Sequence, residues 1–106
     1  MEHREMKLFY TFFLFNSLLI LNLSASETLY KPCISCHGLN GEKRALGKSK
    51  IIVKLPKEEI ITALEGYKNG TYGGPFKKIM QEQTITLTQN DILKLSDHIN
   101  SLKKVQ

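Results

Sequence analysis

The chain has 106 residues and a formal net charge of +5, and its apolar residues are unevenly spread: 15 of the 44 lie before Glu27, as do four of the five Phe. The remaining 80 residues are 36% apolar and contain no Trp, too small a body to be stable comfortably on burial alone, so a disulfide, a metal or a large cofactor is expected. A large enzyme with its own substrate domain is excluded, and the whole basic excess, 13 Lys and Arg against 8 Asp and Glu, belongs to that body.

The first segment has the layout of an export signal. Leu8 to Leu23 holds 12 apolar residues in 16, with Arg4 and Lys7 before it and Ser24, Ala25 and Ser26 after it. At about 1.5 Å per residue such a helix reaches roughly 24 Å, short of the roughly 30 Å hydrocarbon core of a bilayer. A cleaved signal over residues 1–26 therefore fits better than a span, with the cut after Ala25 or Ser26. Met6, followed at once by Lys7, makes a tidier start than Met1 beside Glu2. A retained anchor is the alternative. Export places residues 27–106 in an oxidising compartment, where two cysteines ordinarily pair.

The spacing of those cysteines argues otherwise. Cys33-Ile34-Ser35-Cys36-His37-Gly38 is the attachment motif of a c-type haem. Positions i, i+3 and i+4 share one side of a helical turn, so the thiols of Cys33 and Cys36 can reach the two vinyl groups while the imidazole of His37 meets the iron. Gly38 lets the chain turn away close to the ring. Three other readings exist for such a pair. A thioredoxin-like site wants a βαβ setting, which the pattern does not provide. Zinc needs two more ligands, and the only other histidine after residue 26 is His98. A disulfide between residues three apart closes a small, strained loop that stabilises little.

Downstream, Ile51-Ile52-Val53 reads as a short apolar stretch over the edge of the cofactor rather than a strand. Ile60, Ala63, Leu64 and Tyr67 fall at helical spacing and predict a helix over Lys57 to Asn69, with Pro56 in the first turn and Gly70 as its stop. Gly73-Gly74-Pro75 predicts a turn within a loop, Thr71 to Gln83, that carries Met80. Thr88, with Asp91 three places on, predicts the capped start of a helix reaching about Lys103, with Ile92, Leu95, Ile99 and Leu102 on one side.

Leu29-Tyr30-Lys31 before the Cys-His motif, Gly73-Gly74-Pro75 followed by Ile79-Met80, and the helix opening at Leu87-Thr88 together resemble the class I monohaem cytochromes c, in particular the short periplasmic ones of bacteria. The resemblance spans nearly all of residues 27–106. It implies an all-α fold, three to four short helices around one covalently bound haem. It also implies Met80, the sole methionine after residue 26, as the second axial ligand opposite His37, a pairing that raises the reduction potential. His98 lies on the helical stripe and is expected to pack against the N-terminal helix or lie on an exposed flank rather than ligate iron. Two departures stand out. No proline follows the motif before Leu55 to supply the carbonyl that takes the Nδ1 proton of the proximal histidine, so a carbonyl near Gly47 to Ser49 is expected instead. The N-terminal helix is expected to have at most about seven residues, with Pro32 disfavouring its continuation and abbreviating its packing on His98.

Haem with both axial positions filled has no open site for oxygen or peroxide, so outer-sphere electron transfer remains, and the protein is expected to be a carrier and not an enzyme. The resemblance implies a periplasmic monomer that shuttles one electron between a quinol-oxidising cytochrome complex and a terminal oxidase or a cytochrome c peroxidase. Lys43, Arg44, Lys48, Lys50, Lys77 and Lys78 point to acidic redox partners, and nucleic acid is not expected. The alternatives are a haem-bearing subunit or membrane-anchored domain of a larger complex, and a haem sensor whose Met80 is readily displaced.

Overall fold

The computed structural model describes residues 25–105, so nearly all of the expected leader lies outside the described residues, as does Gln106. Among the described residues every regular element is helical. α1 (25–30) runs into a 3-10 turn, Lys31–Cys33, and then α2 (Ile34–His37). Two further 3-10 turns, Ala45–Gly47 and Ile52–Lys54, precede α3 (Lys57–Asn69), α4 (Lys77–Thr84) and α5 (Gln89–Ser101), and a last turn covers Leu102–Val105.

The two long helices form where their stripes and caps require. α5 opens with a capping box, in which the Thr88 side chain accepts from the Asp91 amide while the Asp91 carboxylate accepts from the Thr88 amide. The Thr88 amide, and after it the Thr88 hydroxyl, hold the Asp91 carboxyl below its ordinary value. α3 ends at Gly70, whose left-handed backbone (φ 76°) returns its amide to Gly66 and Tyr67. Pro56 sits one place earlier than expected. It is the extended N-cap, and its carbonyl accepts from Glu59 and Ile60.

Tyr30 from α1, Ile60 and Leu64 from α3, and Ile92, Leu95 and Ile99 from α5 make one core. Pro32 does not end the helical path. It stands at the start of the 3-10 turn, where its missing N–H matters least, and the chain resumes as α2. A contact with His98 is made nonetheless: the Tyr30 and His98 rings lie 5.2 Å apart at an interplanar angle of 41°. Tyr30 is 2% exposed, and its hydroxyl donates to the Gly38 carbonyl at 2.7 Å, fastening α1 to the end of α2.

Burial pushes the Tyr30 phenol up from 10.0 to about 12. Between those values the unfolded chain releases the proton and the folded one keeps it, so stability present below pH 10 is lost as pH rises through 12. The loss is on the order of 2 kcal/mol. Tyr30→Phe has no such proton, so guanidinium melts at fixed pH should show the two proteins' stabilities converging between pH 10 and 12. A constant difference across that range would place the phenol in water.

Ile52–Lys54 is a turn and not a strand, as expected, but its residues part company. Ile52 lines the cavity described below, whereas Val53 is buried, its amide bonded to the Gly41 carbonyl at 3.1 Å.

Candidate cofactor site

α2 and the turn before it place Cys33, Cys36 and His37 on the wall of one cavity of about 390 Å³. α3 contributes Ile60, Leu64 and Tyr67, α5 contributes Leu95 and Ile99, and α4 contributes Met80, so residues far apart in the chain line one apolar space. Its volume falls within the range of small-molecule and cofactor sites.

Met80 lies on α4 and not on a loop. The Gly-Gly-Pro signal marks only the turn that precedes the helix, and Lys77 to Thr84 contains no Gly or Pro to prevent helix. Gly73, at φ 106°, has a backbone that disfavours a side chain. A Cβ there would stand 2.6 Å from the Tyr67 ring, so glycine lets the turn into α4 close on α3. The Tyr67 and Tyr72 rings meet edge to face at 5.0 Å beside it.

Both cysteines are free thiols, Cys36 exposed and Cys33 half-buried, where burial pushes its thiol up to about 11. His37 is buried, and burial lowers its pKa from 6.5, so at pH 7 the imidazole is neutral, the form that ligates a metal. Gly38, at φ 87°, turns the chain away behind it, and a Cβ there would collide with the Glu42 carboxylate. The buried His37 Nδ1 has no hydrogen-bond partner among the described residues. None of the carbonyls expected near Gly47 to Ser49 reaches it, and that stretch makes hydrogen bonds of its own. Arg44 Nη1 donates to the Ser49 carbonyl, the Ala45 amide to Ser49 Oγ, and the Gly47 amide to the Arg44 carbonyl.

His98 is not among the cavity-lining residues; its ring packs on Tyr30 as expected. Of the six basic residues singled out in the sequence, Lys48, Lys50 and Lys77 line the cavity, while Lys43, Arg44 and Lys78 are exposed without lining it. Lys50 is further committed to Glu59 at 2.8 Å. Leu46 and Phe76, which the sequence did not single out, also line the cavity, as does Ile79 beside Met80, and the three are 61%, 49% and 45% exposed. Leu46 holds a left-handed backbone, φ 54°, that nothing in the sequence announces beyond Gly47 beside it.

These residues fit a covalently held haem. Two free thiols and a neutral, buried imidazole stand together on an apolar wall, with a thioether lining the same space. Among the described residues, no group of three or more His, Cys, Asp or Glu could hold a bare metal ion instead.

The chain matches the family model described as Cytochrome c over residues 24–103. It is 42% identical over 76 residues to cytochrome c-553 of Desulfomicrobium norvegicum, covering 72% of this chain and 92% of that protein. It is 39% identical over 88 residues to cytochrome c-553 of Helicobacter pylori, covering 83% and 85%. Cytochrome c-554(547) of Halothiobacillus neapolitanus is 33% identical over 89 residues, covering 76% and 96%. With the Cys33-Cys36-His37 motif on the wall of its apolar cavity, the chain belongs to the cytochrome c family and is a small electron carrier built on a covalently bound c-type haem.

Proposed function

We propose that residues 27–106 form an exported one-electron carrier, with residues 1–26 its cleaved leader, working in the periplasm between a quinol-oxidising cytochrome complex and a terminal oxidase or cytochrome c peroxidase. In this reading Cys33 and Cys36 hold the haem by thioethers, and His37 and Met80 are its axial ligands. The observation that carries it is the convergence of His37 and Met80 on one apolar cavity. When bound, the haem supplies reversible one-electron exchange at its iron.

The chain's own part is to fix the surroundings of that exchange. Ile60, Leu64, Leu95 and Ile99 keep water from the interior, so little solvent has to reorganise when charge changes. Met80 offers a soft thioether that favours the reduced ion, and burial keeps His37 neutral as its partner. With the His37 imidazole and the Met80 thioether both committed to the iron, the protein would exchange electrons across its surface and leave no site for chemistry on a bound substrate. No helix among the described residues is long and apolar enough to cross a membrane.

Lys48, Lys50 and Lys77 at the cavity favour an acidic partner. The body carries +5, and an oxidised haem with its two propionates adds about −1, so the holoprotein stays basic near +4. The Debye length is about 10 Å at 0.1 M salt, so the encounter rate with an acidic partner should fall roughly tenfold or more as salt rises from about 10 mM to about 0.5 M. Charge reversal at Lys77 and Lys48 should flatten that dependence. Stopped-flow oxidation by a purified partner across a salt series measures it, and a rate indifferent to salt would mean that docking is apolar.

A further inference from the structure

α4 carries Met80, and the one buried residue of that helix is Thr84, at 1% exposure. Residues four apart on a helix lie one above the other, so Thr84 stands a turn beyond Met80 on the same side. Its hydroxyl donates to the Met80 carbonyl at 2.9 Å, with the Gln81 carbonyl second at 3.2 Å. Threonines bonded back in this way often bend the helix that carries them. The other face of the residue is tied as well. The Leu87 amide donates to the Thr84 carbonyl at 3.0 Å, and the Lys68 ammonium of α3 donates to the Leu87 carbonyl. Ahead of Met80 every residue from Gly73 to Ile79 is exposed, so Thr84 is the buried anchor of this stretch.

We propose that Thr84 is the positioning residue for Met80. Its buried methyl fixes how deep α4 sits, and its hydroxyl fixes the bend that brings the thioether into the cavity. The inference rests on the reading of Met80 as an axial ligand. It assigns to the hydroxyl a part that bulk alone cannot play, since valine has nearly the same shape and no proton to donate.

The test uses the haem-loaded protein and imidazole as a competing ligand for the iron, read by loss of the weak near-infrared band of sulfur-to-ferric charge transfer. One hydrogen bond of ordinary net strength sets the scale, so Thr84→Val should bind imidazole about fivefold more tightly than the native protein, and Thr84→Ser should stay near the native value. Thermal melts by circular dichroism run alongside. A Thr84→Val protein that melts earlier but binds imidazole with native affinity overturns the proposal and leaves Thr84 as packing alone. Thr84→Ser and Thr84→Ala both lack the methyl and differ by the hydroxyl, so equal imidazole affinities in that pair overturn it too, even if Thr84→Val fails to load. Met80→Ala separates the two levels of the argument: if it keeps the band, the ligand reading fails, whereas loss of the band with a native-like Thr84→Val sinks only the present inference.

Discussion

Replacing Cys33 and Cys36 together by Ala should yield a protein that retains no haem after acid-acetone extraction, whereas the native protein, matured with haem attachment machinery, should keep one haem through denaturation. Thioether bonds do not break when the fold does, so the contrast is all or none. The effect should reach the fold as well, because Ile60, Leu64, Leu95 and Ile99 belong at once to the core and to the cavity wall. At roughly 24 cal/mol per Å³, a space of 390 Å³ with nothing in it costs at most on the order of 9 kcal/mol. That is the size of a typical domain's entire stability, roughly 5–15 kcal/mol. The double variant should therefore lose most of its far-ultraviolet helical signal at 25 °C. Haem that washes out of the native protein would overturn the attachment reading, and a haem-free variant that stays helical would show that the core closes without it.

Met80→Ala should abolish the near-infrared sulfur-to-iron band completely and leave the sixth position open to small ligands. His98→Ala should keep the band at native intensity. The two side chains differ in what they touch: Met80 lines the cavity, while His98 is spent on the Tyr30 ring. Loss of that ring contact should lower stability by about 1 kcal/mol without touching the iron. Absorption spectra of the oxidised proteins decide the matter, and a band lost only in the His98 variant would reverse the ligand assignment.

What could be read from the residues was whatever depends on neighbours along the chain. α3 and α5 came from apolar spacing together with Gly70 at one end and Thr88 with Asp91 at the other, signals that act within a turn or two. The motif of Cys33, Cys36 and His37 is local in the same sense. Met80 was placed on a loop because Gly73-Gly74-Pro75 is a strong turn signal and an eight-residue helix is too short to show a stripe. Thr84 escaped notice because a threonine in a polar run gives no sign that tertiary packing will bury it. The basic residues read as a docking surface for acidic partners, but which of them border the cavity depends on how the chain folds back around it, and Lys43, Arg44 and Lys78 do not. The Nδ1 of His37, without a partner among the described residues, belongs to the same class, since which carbonyl comes near it is set by tertiary folding and not by neighbours along the chain.

The apolar rim of the cavity bears on how long a complex lasts. Leu46, Phe76 and Ile79 already have about half of their surface covered by their own protein, so a partner settling there removes only the remainder from water. Three half-covered side chains offer on the order of 300 Å², enough to exclude solvent between two redox centres and well short of the roughly 1,200–2,000 Å² that stable interfaces bury. Affinity differences between related complexes lie mostly in the dissociation rate, so a rim built this way gives short residence times. A carrier that must leave one protein before it can serve the next is limited by its departures as much as by its arrivals, and half-covered side chains keep the departures fast.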